Sequence, residues 1–358
     1  MKSLNNLLVF LLTILSFTSI SFSTTPLPGM RGTPNNLPDI SVIGDFYSAF
    51  SKDYSEIVTV RSIETAFQGY IYPEVRSDIF LALHRHEEAL EFELCEGYVS
   101  FLKLFGKLSA EVGRRHVEFG KVNKIHQHHR PYFDQPIVIT NYLGEHGLVG
   151  DGLNLKYLLP LNFFAEVSFG GWEVPKAHTH QQETEETHQH SNFINDRVYT
   201  SKIWFGFPLA KVSELELGFN YLLGKGPHYI EHKDEISIFS AEVNYKWIFS
   251  TYRNLTLQSE LFWLTRSVPV ETFKRFGGYL FTNLQLSKYW SLAARYDYVE
   301  LPNPEEINIT QALSLIVTKN LTETTLIRGQ YTYDITESEH KGVVQFVFGI
   351  GPHSHMLE

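Results

Sequence analysis

The chain has little cysteine, and no long hydrophobic segment follows its N-terminal region. Cys95 is the only cysteine among 358 residues, so a disulfide within the chain is excluded, and no cysteine marks a lipid-attachment site. Beyond the N-terminal region, no stretch approaches the roughly 18 apolar residues that a membrane helix requires. A helical membrane protein and a disulfide-stabilised secreted domain are therefore both disfavoured.

Sequence patterns for two common types of catalysis and for nucleic-acid binding are also missing. The chain contains no Gly-x-Ser-x-Gly and no His-Glu-x-x-His, the patterns of one class of serine hydrolases and of zinc proteases. Its formal net charge is −10, without a basic patch, which gives no support for a nucleic-acid partner. The sequence therefore predicts that the protein is not an enzyme, although a barrel enzyme with a scattered triad is an alternative.

What the chain has instead is a long series of segments in which polar and apolar residues alternate. The pattern is clear in residues 241–247, 255–263 and 290–298. Period two indicates β-strands with one apolar and one polar face. Aromatic residues make up 14% of the chain, which suits the aromatic girdles of a barrel in lipid. We therefore predict an all-β protein, a single transmembrane up-and-down antiparallel β-barrel of about 16 strands.

The connections between these segments alternate between short turns and longer polar loops. This alternation is typical of outer-membrane barrels, whose periplasmic turns are tight and whose extracellular loops are long. An even number of strands places both termini in the periplasm, and a barrel of this size can leave a water-filled channel. The predicted strands are 40–52, 57–72, 75–84, 89–103, 107–119, 151–159, 162–172, 197–207, 212–223, 236–249, 252–265, 275–286, 289–299, 307–318, 322–333 and 341–350.

The ends of the chain predict export to a Gram-negative-type outer membrane. Residues 1–23 combine a basic start, an apolar core and a small-x-small site, and we interpret them as a cleavable signal peptide. Residues 24–39 are rich in proline, glycine and asparagine and predict a poorly ordered periplasmic leader. Residues 40–350 form the predicted barrel, and residues 351–358 form a periplasmic tail.

Histidine is unevenly distributed. Of 16 histidines, all but His353 and His355 fall on or near the predicted outer loops. Imidazoles two residues apart in an extended segment point the same way, and with carboxylates they suit Zn²⁺, Cu²⁺, Ni²⁺ or Co²⁺. The alternatives are a solvated polar loop, or side chains that only tie a loop to the wall. The candidate ligands are His178, His180, Glu183, Glu185, Glu186, His188 and His190 in one loop, and His126, His128, His129 and Asp134 in another, which is long enough to fold into the lumen.

Six segments resemble a known family of bacterial outer-membrane barrels. They are residues 38–46, 96–101, 119–128, 133–138, 143–148 and 151–152. The family is related to phosphate-selective porins, and its members are often labelled zinc-regulated, TonB-dependent receptors. The resemblance implies a barrel and zinc-linked expression, but no transported species. Gln135 departs from the charged residue that is usual before the loop proline, and the short leader cannot provide the plug that a TonB-dependent receptor needs.

The function that these observations favour is a porin-like channel whose His/Glu-rich outer loops capture divalent metal, with zinc the preferred ion. No cofactor is required, and the metal is the cargo or a bound ion. The expected partners are outer-membrane lipid and metal ions, with a homotrimer as a compatible assembly. A general or anion-selective porin without a metal role is the main alternative, and adhesion through the outer loops is a further one.

Overall fold

The computed structural model describes residues 38–52, 55–86, 89–175, 194–226, 234–268, 271–303 and 307–352. They form sixteen β-strands, numbered β1 to β16 in chain order. The predicted strand number is confirmed. The strands are Asp39–Ser51, Ser55–Tyr72, Val75–His86, Ala89–Phe105, Leu108–His116, Val149–Leu158, Phe164–Val174, Asn195–Ala210, Ser213–Lys225, Glu235–Ser250, Arg253–Ser267, Thr272–Gln285, Trp290–Glu300, Ile309–Asn320, Leu326–Asp334 and Glu339–Ile350. The predicted signal peptide and leader, except its last two residues, lie outside the described residues.

Every strand pairs antiparallel with its sequence neighbours, and β1 pairs with β16 to close the barrel. The closing register runs from Val42 opposite Ile350 to Ser51 opposite Lys341. Closure satisfies the backbone donors and acceptors that an open sheet edge would leave exposed, which is a condition for crossing lipid with strands. The predicted closed up-and-down barrel is therefore confirmed.

The outer face of the barrel is apolar, and each of the sixteen strands exposes large hydrophobic side chains on it. Aromatic rings form a continuous row across five neighbouring strands, with centroids 5.5 to 6.5 Å apart. Such a surface is unfavourable in water and favourable against acyl chains, where aromatic rings mark the interface. The rings of this row belong to Phe219, Phe239, Trp263, Phe276 and Tyr298.

The connections at one end of the barrel are short, and those at the other end include the longest ones. The longest fully described connection is residues 117–148, between β5 and β6, which we call the inner loop. It contains two short 3₁₀ turns, Val122–Lys124 and Gln127–His129, and one helix, α1, at Ile137–Leu143. It hydrogen-bonds to inward-facing side chains of β9, β11, β13 and β15. Because these strands lie far apart around the barrel, the loop folds into the lumen, as the sequence predicted that it could.

The lumen is less polar than the alternation predicted. On β8 to β14, several inward-facing positions are apolar and buried, among them Leu222, Ile238, Phe262 and Leu264. They pack against the inner loop, whose Val122, Val138 and other apolar side chains join the same cluster. The strict rule of a polar inner face therefore fails here, because the loop supplies an apolar partner inside the barrel.

Candidate functional site

The inner loop begins at a buried carboxylate on the barrel wall. Glu260, fully buried on β11, accepts the backbone N–H groups of Lys121 (3.0 Å) and Val122 (3.1 Å) and the hydroxyl of Tyr279 (2.7 Å). The backbone N–H of Gly120 donates to the Asn220 side chain at 3.1 Å. These bonds satisfy both the carboxylate and the loop amides, and so fix where the loop enters the lumen.

The middle of the loop is held by side chains of β13 and β15. The Arg295 guanidinium donates to the backbone oxygen of Asp134 at 2.6 Å and to its carboxylate at 3.2 Å. Gln330 on β15 hydrogen-bonds the same carboxylate and accepts the backbone N–H of Phe133 at 2.8 Å. Burial alone would raise the pKa of the Asp134 carboxyl, but the Arg295 charge and the Gln330 hydrogen bond outweigh it and lower the pKa.

Helix α1 packs its apolar face against the lumen wall. Val138, Ile139 and Tyr142 are fully buried, and the Tyr142 hydroxyl donates to the backbone oxygen of Glu300 at 2.9 Å. A Cβ at Gly277 on β12 would stand 2.6 Å from a methyl group of Val138, so the helix approaches the strand closely. The loop is therefore anchored to the wall at three places.

Where the inner loop contacts the barrel wall, four titratable side chains lie together; we call this contact the seam. Nδ1 of His126 lies 3.2 Å from the carboxylate of Glu64 on β2, and its Nε2 lies 3.0 Å from the carboxylate of Glu96 on β4. Nδ1 of His116, the last residue of β5, lies 2.8 Å from the other Glu96 oxygen. All four side chains are buried, with 3 to 8% of each residue exposed. We call these four residues the seam cluster.

The electrostatics of the seam cluster are set by its two carboxylates. Burial by itself would lower the pKa of His126, but the negative charges of Glu64 and Glu96 and their hydrogen bonds raise that pKa to about 10. Without a metal, His126 is therefore an imidazolium ion at neutral pH. A metal ion would have to displace its proton, and the two carboxylates would then compensate the charge of the metal.

Of the predicted metal ligands within the described residues, His126 alone joins a group of three candidate ligand side chains, together with Glu96 and His116. The ring of His128 lies tilted beside that of His126, with centroids 5.7 Å apart, and the ring of exposed His129 lies 4.3 Å from that of His128. Asp134 contacts Arg295 and Gln330 instead. The other predicted ligands lie outside the described residues; they are His178, His180, Glu183, Glu185, Glu186, His188 and His190.

Glu64, Glu96 and His116 are not among the residues that the sequence predicts as metal ligands. Glu64 and Glu96 lie 62 and 30 residues before His126, so no local spacing joins them. The available signal was the alternation in β2 and β4, which places both carboxylates on the inner face. His116 carried a second signal, since it ends the strand that leads directly into the inner loop.

The fold and this site together define a class. A closed sixteen-stranded barrel with an apolar outer face and a long connection folded into its lumen has the architecture of an outer-membrane porin. Within the described residues, no helix has both the length and the apolar character needed to cross a membrane.

Known structures agree with this class. An anion-selective porin from Comamonas acidovorans matches with a TM-score of 0.59 at 10% identity, covering 87% of this chain and 99% of that one. Salmonella typhi OmpF in complex with daunomycin matches with a TM-score of 0.58 at 10% identity, covering 90% of this chain and 100% of that one. Vibrio cholerae OmpT in its trimer form matches with a TM-score of 0.57 at 8% identity, covering 87% of this chain and 99% of that one.

Sequence comparison adds less. A protein of Aquifex aeolicus (strain VF5), described as an uncharacterized protein, is 22% identical over 342 residues, which is 85% of this chain and 69% of that protein. No family model matches the chain. At these identities the similarities establish the porin fold. The zinc-regulated receptor label receives no support from them.

Proposed function

We propose that the protein is an outer-membrane channel that captures divalent metal ions, zinc first, and admits them through a lumen narrowed by the inner loop. The observation that carries this proposal is the seam cluster. The inner loop brings an imidazole between two buried wall carboxylates at 3.0 and 3.2 Å. Oxygen and imidazole ligands of this kind suit zinc and related divalent ions.

The packing inside the barrel supports a small solute. At the level of the inner loop, five inward-facing polar residues are at most 1% exposed. They are Asp45, Arg295, Asp297, Ser314 and Gln345. They line β1, β13, β14 and β16, so the loop and these side chains together fill that side of the lumen. A wide unselective pore is disfavoured by this packing, whereas the passage of single ions is compatible with it.

A second function, anion conduction, is favoured by a group of arginines in the same lumen. Burial, and after it the charges of Arg61 and Arg295, lower the pKa of Arg130 to about 10. Among the described residues, Arg130 forms no ion pair with a carboxylate; it hydrogen-bonds the backbone oxygen of Ile125 and the side chain of Gln135. An anion that passed this point would meet a buried positive charge. The similarity to an anion-selective porin is compatible with this alternative.

Ion selectivity distinguishes the two functions. The full-length protein is reconstituted in a planar bilayer under a KCl gradient, and the sign of the reversal potential shows whether cations or anions pass. In parallel, proteoliposomes containing a fluorescent zinc indicator report Zn²⁺ entry. Metal uptake predicts cation selectivity and Zn²⁺ entry that saturates, because binding sites fill. Anion selectivity without Zn²⁺ entry would replace the metal proposal with the alternative.

The outer loops are tested with a matched pair of variants. In the first variant, glutamine replaces four outer-loop histidines, His178, His180, His188 and His190. This variant should have a lower rate of Zn²⁺ entry at low zinc concentrations, because fewer ions are captured. Replacing His353 and His355, which we predict at the other end of the barrel, should leave the rate unchanged. Equal rates for both variants would remove the outer loops from the mechanism.

Analytical ultracentrifugation in detergent tests the proposed homotrimer, the form in which one Vibrio cholerae OmpT structure is described.

A further inference from the structure

We infer that Glu96, His116 and His126 bind one divalent transition-metal ion, and that this ion fastens the inner loop to the barrel wall. The three residues come from β4, from the end of β5 and from the loop itself. One ligand atom from each lies within 4.8 Å of the other two. This site lies within the seam cluster that carries the proposed function, so the inference rests on that function and deepens it, but ion binding and its effect on the loop are measured without transport.

The distances fit a zinc-sized ion after a small adjustment. With metal–ligand distances of about 2.0 to 2.1 Å, the ligands of a tetrahedral site lie roughly 3.4 Å apart. Nε2 of His126 and Nδ1 of His116 lie 3.0 and 2.8 Å from the two Glu96 oxygens. The widest separation in the group is at most 4.8 Å, so it has to shrink by no more than about 1.4 Å.

The far nitrogen of each imidazole is already held by an oxygen acceptor. Nδ1 of His126 faces the Glu64 carboxylate at 3.2 Å, and Nε2 of His116 faces the backbone oxygen of His146 at 3.2 Å. With a proton kept on each of these nitrogens, and the second proton of His126 displaced by the metal, the opposite nitrogens carry the lone pairs that would bind the ion beside Glu96. Metal-binding histidines are typically oriented in this way by a carboxylate or a backbone carbonyl.

Charge balance favours a divalent ion. The seam cluster contains two carboxylates and two imidazoles, all nearly withdrawn from water. Two neutral imidazoles leave two negative charges, which a single divalent cation neutralises completely. Because buried charge is costly unless it is compensated, a dication at this place is stabilised by the two carboxylates.

The position of the ion determines its effect. The Glu260 carboxylate and the Arg295–Asp134 pair attach the loop to β11 and β13, on the other side of the barrel from β4. An ion at the seam cluster would add an attachment to β4 and β5. Three protein ligands leave a fourth position for water or a passing anion, as in open zinc sites. Occupancy would therefore hold the loop in its narrowing position, and loss of the ion would loosen it.

Metal binding to the purified full-length protein tests the inference. The protein in detergent is stripped with a chelator and titrated with Zn²⁺ by calorimetry, and with Co²⁺ by visible absorption. His116→Gln, His126→Gln and Glu96→Gln should each remove one equivalent of binding or weaken it at least 100-fold. Glu64→Gln should keep the stoichiometry and weaken binding about 10- to 100-fold, as expected for an orienting carboxylate. His340→Gln, an exposed histidine on β16, is the matched control and should bind as the wild type does.

A second measurement uses the wild type alone, so it does not depend on how the variants fold. Zn²⁺ should slow hydrogen exchange in residues 117–148 and leave exchange in β9 to β12 unchanged. The inference is overturned if the stripped wild type binds no tight equivalent, if the ligand variants bind like the control, or if Zn²⁺ leaves exchange of the inner loop unaltered. If the protein binds zinc at this site but shows no Zn²⁺ flux, the proposed transport function is contradicted and this inference remains intact.

Discussion

Arg295 and Asp134, 161 residues apart in the chain, join the barrel wall to the inner loop. The Arg295 guanidinium donates to the backbone oxygen of Asp134 at 2.6 Å, and its charge lies 3.2 Å from the Asp134 carboxylate. Arg295 also donates to Asp297 at 2.7 Å and lies over the ring of Tyr132. One buried cation therefore compensates two carboxylates and orients the loop.

The first prediction concerns removal of this cation. Arg295→Met should lower the free energy of unfolding by about 3 to 5 kcal/mol, because it leaves the fully buried Asp297 carboxylate without its partner. The midpoint of urea unfolding, followed by tryptophan fluorescence, measures the change. Arg253→Met, at an exposed position, is the control and should cost no more than about 0.5 kcal/mol. Equal midpoints for the two variants would show that the buried pair does not stabilise the barrel.

The second prediction concerns acid. The pKa of Asp134 is lowered below its ordinary 3.8, so its contribution to stability is present above pH 3.8 and is lost as the pH falls through the folded-state value. Because 37% of this side chain is exposed, solvent screens the pair and the contribution should be about 1 to 2 kcal/mol. Asp134→Asn should lose this amount at pH 7, and its stability should fall less steeply than that of the wild type below pH 4. Parallel acid curves would contradict the prediction.

The barrel itself could be predicted from the sequence because its pattern is local. Alternation in residues 255–263 follows directly from the two faces of one strand, and β11 is found at Arg253–Ser267. The pattern failed to predict the apolar lumen at Phe262 and Leu264. Leu261 to Leu264 are apolar on both faces, and the reason is that the inner loop covers the inner face. Alternation indicates only whether a face of the strand is apolar or solvated, and it does not identify which other part of the protein packs against that face.

The candidate site could be predicted only in part, since its residues come from distant positions. The spacing between His126 and His128 predicts His126 as a ligand. Glu64 and Glu96 reach it only after β2 and β4 take their places in the barrel and the loop folds inward. Asp134 was placed with His126 because the two are close in sequence, but Arg295 on the other wall attracts it. Proximity created by barrel closure is not contained in any local motif.

The third prediction uses a matched pair of glycines with positive φ. Gly120, at φ 70°, lies where the inner loop leaves the wall, and a Cβ there would overlap with the Glu260 carboxylate. Gly106, at φ 60° in a short turn, has nothing within 4 Å of that position. Gly106→Ala should cost about 1 kcal/mol for its backbone conformation alone. Gly120→Ala should cost about 2 to 4 kcal/mol, because it also displaces an acceptor of two loop amides.

Hydrogen exchange at the amides of Lys121 and Val122 separates the two effects of that pair. These amides should exchange faster in Gly120→Ala and at the wild-type rate in Gly106→Ala. If both variants lose the same stability and keep protected amides, the Glu260 contact does not anchor the loop.

The last prediction connects the loop to conductance. Val138, fully buried on α1, packs against the inner wall. Val138→Asp places a carboxylate in this apolar contact, where burial is costly by several kcal/mol, so the helix should leave the wall. Since the loop crosses the lumen, its release should raise single-channel conductance by roughly twofold, towards that of an open barrel of sixteen strands. Thr140→Asp adds the same charge at an exposed position of the same helix; it should shift selectivity towards cations without widening the channel. If Val138→Asp conducts like Thr140→Asp while the barrel stays folded, the inner loop does not limit the passage of ions.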